Sequence, residues 1–241
     1  MKKIIVLLCM IMLVAGCGKK DNSKLIMVTE AGFAPYEYYS NGEIVGVDVD
    51  IAKEIAASMG KELVIIKDIA FDSIINEVKT GKADFGAAGI SYNEERAKNV
   101  DFTINYSTSK QVVIVKNDSG ITNIGGINGK KIAVQLGSIA DTYVSSTYKD
   151  ASVVRQKKYL AAIEDLNTGK VDCVVMDLLP AEQILKTNSG LKILDGALVE
   201  DSYGMIVKKG NKELLDNINK VLEKLKNEGK IDEYIIKHTE E

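Results

Sequence analysis

Two segments of the chain share one order of hydrophobic and polar positions. FDSIINEVKTGKADFGAAG at 71–89 aligns without gaps on YLAAIEDLNTGKVDCVVMD at 159–177. In both, apolar residues recur at helical spacing, a Thr-Gly-Lys-x-Asp motif follows, and an apolar run comes last. This order predicts a helix that ends at glycine and leads into a buried strand. Duplication of one unit would explain the repeat, and chance similarity of two helix–turn–strand units is the alternative.

Other segments predict more strands and helices. LIMVTEAG at 25–32 and KIAVQLGS at 131–138 are apolar runs that enter loops of small residues. Apolar residues at the helical period predict a helix over 48–60 and an amphipathic helix over 211–230. Because strands and helices alternate, we expect parallel sheets with right-handed crossovers. The chain is therefore predicted to form two similar α/β lobes.

The composition is that of an ordinary soluble protein. The 241 residues are 46% hydrophobic and 27% charged, which is enough to build a buried core. The formal net charge of −3 offers no basic surface to a polyanion, so we expect no nucleic-acid partner. The sequence contains no CxxC motif and no cysteine–histidine cluster. We therefore expect neither a metal site nor a cofactor.

The first residues have the pattern of an export signal. Two lysines precede an apolar run at 4–14, which is too short for a membrane-spanning helix. The run leads into Val-Ala-Gly-Cys, which resembles the bacterial lipobox, where the cysteine becomes a lipid-modified N-terminus. We therefore predict a lipoprotein signal peptide over 1–16, a lipid anchor on Cys17 and a polar tether over 17–23. An ordinary export signal with a chance cysteine is the alternative.

Polar and aromatic residues collect where the predicted strands end. In open parallel α/β sheets, ligands bind beyond the carboxyl ends of the strands. If two lobes face each other, the loops at these ends line a single cleft. The candidate residues in and beside the loops are Glu30, Phe33, Phe71, Gly89, Ser91, Arg96, Ser138 and Asp177.

One group of candidates suits an anion. Arg96 lies near the start of a short predicted helix, where a cation opposes the helix dipole, so its position needs an explanation. An arginine side chain matches a carboxylate with two parallel hydrogen bonds. Backbone N–H groups near Ser91 and Ser138 would add further donors.

A second group suits a cation. Asp177, the Ser91 hydroxyl and the Gly89 carbonyl offer oxygen atoms to an ammonium group. Phe33 and Phe71 would form apolar walls between the two sites. An anion site, a cation site and apolar walls together are typical of a pocket for an α-amino acid.

Each candidate also has a purely structural interpretation. Arg96 is consistent with a surface position paired with a nearby carboxylate such as Glu94. Asp177 suits the N-cap of the helix that follows it, and Ser91 suits a capping box with Glu94. Gly89 fits a simple turn, and the two phenylalanines fit a hydrophobic core. The sequence leaves these alternatives open.

Several segments together resemble a known family. They are FAPYEY, GEIVGVDVDIAKEIA, GAAGISYNEERAKNVDFT, GKKIAVQLGS, GKVDCVVMD and YGMIVKKGNKELL. These segments resemble the bacterial extracytoplasmic solute-binding proteins for polar amino acids, and the resemblance runs from about Lys24 to the C-terminal region.

The resemblance implies a fold and a function. The fold would be the periplasmic-binding-protein-like type II fold, with two α/β lobes joined by a two-strand hinge and a ligand cleft between them. Lobe 1 would comprise 24–109 plus 205–241, and lobe 2 would comprise 110–204. The protein would be a monomer outside the cytoplasm, held at the membrane by its lipid, that closes over a free amino acid and delivers it to an ABC permease.

The resemblance also assigns roles to residues. It places the ligand α-carboxylate on Arg96 with the backbone of Ser91 and Ser138. It places the α-ammonium group on Gly89, Ser91 and Asp177. The side-chain pocket would involve Glu30, Phe33 and Phe71.

Two positions depart from the family pattern. Ile139 stands where the family usually has a hydroxyl residue, so one polar contact to the ligand is lost or supplied by another group. Glu30 stands where the family often has a shorter carboxylate. A carboxylate at this end of the pocket favours a cationic or amide ligand side chain, as in arginine, lysine, histidine or glutamine.

Two other functions compete with capture of an amino acid. An enzyme on the same scaffold, such as a dehydratase, would need a general acid or base. The sole histidine, His238, lies far in sequence from every candidate loop. The third possibility is a sensor that passes its signal to a separate membrane partner.

Overall fold

The computed structural model describes residues 21–66 and 69–240. The predicted signal peptide and Cys17 lie outside the described residues, as does most of the predicted tether. Within the described residues, no helix is both long and apolar enough to span a membrane.

The described part of the chain alternates between strands and helices, as predicted. The strands are β1 (Lys24–Val28), β2 (Tyr38–Ser40), β3 (Glu43–Val45), β4 (Glu62–Ile66), β5 (Phe85–Gly86), β6 (Val100–Phe102), β7 (Ser107–Lys116), β8 (Lys131–Gln135), β9 (Ser152–Gln156), β10 (Cys173–Asp177), β11 (Leu191–Ile193), β12 (Val199–Tyr203) and β13 (Ile206–Lys208). The helices are α1 (Val47–Ser58), α2 (Ile74–Lys79), α3 (Glu94–Ala97), α4 (Ile139–Thr147), α5 (Tyr159–Asn167), α6 (Leu178–Lys186), α7 (Lys212–Asn227) and α8 (Lys230–Glu240).

Two main sheets form the centres of two α/β lobes. The first has the strand order β4-β1-β5-β13-β6, and the second has the order β11-β7-β10-β8-β9 with β12 paired to β7. In the first sheet β1 runs parallel to β4 and β5, and in the second β8 runs parallel to β9 and β10. These parallel neighbours agree with the predicted α/β fold class, because they follow from strand–helix–strand crossovers. The expectation of wholly parallel sheets is wrong, because β13 runs antiparallel to β5 and β6, and β7 runs antiparallel to β10 and β11. The bounds of the lobes stay a prediction.

Two antiparallel strands connect the lobes. β7 leaves the first lobe and β12 returns toward it, and the two pair from Ser107 with Tyr203 to Gln111 with Val199. Tyr203 also forms an isolated bridge with Ser91 of the first lobe. The ligand cleft therefore lies between the sheets, in front of this two-strand hinge.

The sequence repeat corresponds to a repeated structure. In both units a helix ends at the motif glycine, whose φ is +77° in Gly81 and +75° in the second copy. Asp84 Oδ2 accepts a hydrogen bond from the backbone N–H of Ile26 in β1 at 2.8 Å. Asp172 Oδ2 does the same with Lys131 in β8, also at 2.8 Å. The shared motif thus ties the end of a helix to the neighbouring parallel strand in each lobe.

Helix α7 ends earlier than the helix predicted over 211–230. α7 packs its apolar stripe against α1 and α8, and the buried residues of that stripe are Leu214, Ile218, Leu222 and Leu225. The helix stops at Asn227 instead of continuing to residue 230, because Gly229 adopts a left-handed backbone with φ +68°. The chain then starts α8, which the apolar pattern did not predict.

Candidate functional site

All eight predicted site residues line one pocket between the lobes. Glu30, Phe33, Phe71, Gly89, Ser91 and Arg96 approach it from the first lobe, and Ser138 and Asp177 approach it from the second. The described residues that line the same pocket without having been predicted are Glu37, Ala88, Gln111, Gln135, Ile139, Tyr159 and Asp201. The structure brings the eight predicted residues together in one pocket, whereas their role in ligand binding stays a prediction.

Arg96 is buried at the cleft and contacts both lobes. Its side chain leaves α3, and the residue is only 6% exposed. Nη1 donates a 2.6 Å hydrogen bond to the Ser91 carbonyl, and Nη2 donates a 2.8 Å hydrogen bond across the cleft to the Gly137 carbonyl. The guanidinium carbon lies 5.3 Å from the centre of the Phe71 ring. A surface position for this arginine is therefore wrong.

The electrostatic setting of Arg96 is that of a buried cation beside acids. Burial lowers the pKa of the guanidinium to about 10, whereas Asp201 and Asp177 act in the opposite direction. The side chain stays charged at neutral pH. Since a guanidinium carries five N–H donors, its two carbonyl contacts leave donors that can meet a ligand carboxylate.

Asp177 occupies a helix cap position without acting as a cap. It directly precedes α6, yet within the described residues its carboxylate makes no capping hydrogen bond to that helix. Its Oδ1 instead accepts hydrogen bonds from the hydroxyls of Ser109 at 2.7 Å and Tyr203 at 2.5 Å. Burial, and secondly the charge of Asp201, raise the pKa of Asp177 to about 6. A nearby cation would favour the charged form of this carboxylate.

Asp201 gives the pocket a second carboxylate near Asp177. Asp201 Oδ2 accepts hydrogen bonds from the Ser91 hydroxyl at 2.7 Å and from Gln111 Nε2 at 3.4 Å. Burial raises the pKa of Asp201. Among the described residues, neither Asp201 Oδ1 nor Gln111 Oε1 has a hydrogen-bond partner. This part of the pocket therefore holds several acceptors and suits an ammonium group.

Ser91 and Gly89 have structural roles that differ from the simplest interpretations. The N-cap of α3 is Asn93, whose side chain accepts a 2.7 Å hydrogen bond from the Arg96 backbone, so the capping box at Ser91 is wrong. Gly89 has φ +53°, and an added Cβ would lie 2.7 Å from the Phe33 ring. Only glycine allows the backbone to approach the aromatic wall this closely.

Ser138 is the N-cap of α4, the helix that follows β8 in the second lobe. Its hydroxyl accepts a 3.1 Å hydrogen bond from the Asp141 backbone at the start of α4. Its backbone N–H donates to the Gln135 carbonyl at 3.1 Å, in the turn that precedes the helix. The predicted backbone donor at Ser138 is therefore engaged within the turn.

Aromatic rings from both lobes form one wall of the pocket. Phe33 stacks on Tyr36 with ring centres 5.9 Å apart and on Tyr159 of the opposite lobe with ring centres 5.8 Å apart. Phe71 lies beneath the Arg96 guanidinium. Phe33 is buried and Phe71 is half-buried, so each phenylalanine both packs in the protein and faces the pocket.

Glu30 also lines the pocket and is 1% exposed. Gln135 Nε2 donates to Glu30 Oε2 at 3.3 Å, and Lys158 Nζ lies 3.7 Å from Glu30 Oε1. Glu37, which lines the same pocket, is also buried. Burial, and then the nearby Asp48, raise the pKa of Glu37 well above its usual range.

His238 lies outside this cleft. It sits on α8, with Nε2 2.9 Å from Asp50 Oδ2 and Nδ1 3.0 Å from the Tyr38 hydroxyl. The sole histidine therefore stabilises the packing of the C-terminal helix on the first lobe and does not face the pocket.

Some pocket residues carried a signal that the sequence interpretation did not use. Tyr159 aligns with Phe71 in the repeat, so the symmetry of the two units marks it as a second aromatic wall. Gln135 is the last residue of β8, where the strand-end rule applies. Asp201 and Gln111 lie on the antiparallel hinge strands, and no local pattern distinguishes them.

The chain is similar to known proteins in both sequence and fold. Residues 25–241 match the model of the bacterial extracellular solute-binding proteins, family 3. The chain is 29% identical to the arginine-binding extracellular protein ArtP of Bacillus subtilis (strain 168), over 96% of each chain.

Two solved structures show the same fold. The amino acid ABC transporter substrate-binding protein AbpA of Streptococcus pneumoniae, bound to L-arginine, has a TM-score of 0.86 at 34% identity and covers 90% of this chain and 95% of its own. An ancestral arginine-binding protein bound to glutamine has a TM-score of 0.85 at 36% identity and covers 91% of this chain and 99% of its own.

Proposed function

This chain belongs to family 3 of the bacterial extracellular solute-binding proteins, and we propose that its ligand is an amino acid with a cationic or amide side chain, L-arginine first among them. It is a substrate-binding protein of an amino acid ABC transporter, in a family that is not enzymatic. An enzyme on this scaffold is thereby excluded as its function.

The observation that carries the proposal is that a buried arginine and two buried or half-buried aspartates line the same cleft. Arg96, Asp177, Asp201 and Ser91 line the same pocket, and the Ser91 hydroxyl donates to Asp201. We expect Arg96 to hold the ligand α-carboxylate, and the two aspartates with the Ser91 hydroxyl to hold the α-ammonium group. A zwitterionic amino acid would fill the anion site with its carboxylate and the cation site with its ammonium group. Because such a ligand touches both lobes, it favours the closed state by its greater affinity for that state.

The carboxyl groups of the lining support a ligand side chain that donates hydrogen bonds, either cationic or amide. Among the described residues that line the pocket, four carry carboxyl groups and one carries a cation. The Arg96 guanidinium donates to the Ser91 and Gly137 carbonyls and not to Glu30 or Glu37 among the described hydrogen bonds. Both of these carboxyl groups line the pocket and can therefore meet a ligand side chain. A guanidinium, an ammonium or an amide would donate hydrogen bonds to these carboxyls. The relatives that bind arginine, and the ancestral one bound to glutamine, have ligands of this kind.

A panel of all twenty amino acids in a thermal-shift assay tests the ligand class. We expect arginine, lysine, histidine or glutamine to raise the melting temperature, since a ligand at 100 times its dissociation constant stabilises by about 2.7 kcal/mol. D-arginine is the control, because it presents the same charges in the wrong arrangement. Stabilisation by apolar amino acids alone would contradict the proposal.

We also propose that the protein is anchored by a lipid on Cys17 beside its permease. The lipobox-like Val-Ala-Gly-Cys and the polar residues after it support this, and Cys17 lies outside the described residues. Replacing Cys17 with serine should move the protein from the membrane fraction of expressing cells to the soluble fraction, because the acceptor sulfur is lost. Continued retention of Cys17→Ser in the membrane fraction would rule out the anchor.

A further inference from the structure

Glu30 is contacted across the cleft by two residues of the second lobe. The acid follows β1, whereas Gln135 ends β8 and Lys158 directly precedes α5. The Lys158 ammonium lies 3.7 Å from Glu30 Oε1, and the Gln135 amide lies 3.3 Å from Oε2. A positive charge from the second lobe therefore lies beside the Glu30 carboxylate, which lines the pocket.

We propose that Lys158 is a selectivity residue, which neutralises Glu30 across the cleft and so shifts the preference of the pocket from cationic toward amide side chains. The inference rests on the proposed function, because it takes Glu30 as the group that meets the end of the ligand.

The physical basis is competition between two cations for one buried carboxylate. A ligand guanidinium or ammonium beside Glu30 is repelled by Lys158, whereas an uncharged amide donates to Glu30 without that repulsion. Like charges a few ångströms apart interact strongly where water is partly excluded, and Glu30 is almost fully buried. The Lys158 side chain is 38% exposed, so it can swing toward water when a cation enters, which limits the effect.

The structure also offers a matched control. Lys157 is the preceding residue and is exposed, whereas Lys158 is half-buried against Glu30. Replacing either lysine with methionine removes one positive charge and keeps a long flexible side chain. A difference between the two variants therefore reports position and not net charge.

The test compares Kd for L-arginine and L-glutamine by calorimetry in the wild type, Lys158→Met and Lys157→Met. We expect Lys158→Met to shift the ratio of the two constants about tenfold in favour of arginine, and Lys157→Met to leave it unchanged. In a Glu30→Gln background, Lys158→Met should no longer shift the ratio, because the carboxylate for which the cations compete is gone.

Other outcomes contradict the inference in distinct ways. An unchanged ratio in Lys158→Met, or an equal shift in Lys157→Met, would overturn it. Equal weakening of both ligands would assign Lys158 to lobe closure alone and would also overturn it. A wild-type protein that binds neither ligand contradicts the proposed function and this inference together, whereas binding with an unchanged ratio contradicts only the inference.

Discussion

Replacing Arg96 with alanine should abolish amino-acid binding. Removing one partner of a buried, charge-assisted contact costs roughly 2–5 kcal/mol. A loss of that size raises Kd by about 30-fold to several thousand-fold. The guanidinium is buried between Ser91, Gly137 and Phe71, so water cannot readily replace it as a partner of the ligand carboxylate. Calorimetry with L-arginine and L-glutamine measures the effect.

Arg96→Lys separates charge from geometry. Lysine keeps the positive charge but loses the planar fork that matches a carboxylate, so its affinity should fall between those of the wild type and Arg96→Ala. The melting temperature of each ligand-free variant checks that the protein folds. Unchanged affinity in a folded Arg96→Ala protein would remove this residue from the binding site.

The fold was largely predictable because its information is local and repeated. Helical spacing over 71–79 and 159–167, followed by apolar runs, is enough to predict two strand–helix–strand lobes. The sequence interpretation ended the amphipathic helix at residue 230 and missed α8, whereas the left-handed turn at Gly229 ends α7 and precedes a second helix. Such a turn depends on one backbone conformation and leaves little trace in the spacing of apolar residues.

The candidate site was predictable only where it lies at strand ends. Arg96 and Asp177 follow strands of the two repeated units, and the strand-end rule selects both. Asp201 and Gln111 enter the pocket from β12 and β7, which pair over a long sequence separation. Their position depends on the register of the hinge strands, and no local periodicity encodes that register.

The contact between Lys158 and Glu30 illustrates a further limit of sequence interpretation. The two residues are far apart in the chain and come from different lobes, so only the tertiary fold brings them together. Glu30 on its own indicates a cationic ligand. With Lys158 beside it, the same carboxylate becomes a site where the balance between cationic and amide ligands is set.

Asp177→Asn should weaken binding strongly while leaving the ligand-free fold intact. The substitution removes the charge that faces the ligand ammonium and keeps an oxygen that can accept from Ser109 and Tyr203, and truncating such a pair costs roughly 2–5 kcal/mol. Asp165→Asn is the matched control, because Asp165 is a buried carboxylate that pairs with Lys170 outside the residues that line the pocket. Asp165→Asn should keep the wild-type affinity.

The pH dependence gives an independent test of the same carboxylate. The pKa of Asp177 rises from 3.8 to about 6 in the folded protein, so the folded state binds more protons than the unfolded state between these values. Its contribution to ligand-free stability is therefore present below pH 3.8 and is lost as the pH rises through about 6.

Acidification from pH 7 to pH 5 should then have opposite effects on the two measured quantities. The ligand-free melting temperature should rise by the Asp177 contribution, whereas affinity should fall because a protonated carboxyl no longer attracts the ligand ammonium. In Asp177→Asn both of these changes should shrink. A helix cap would behave differently, since its loss would lower ligand-free stability by about 0.5–2 kcal/mol at neutral pH and leave affinity unchanged. That result would assign Asp177 to the fold and remove the cation site from the cleft.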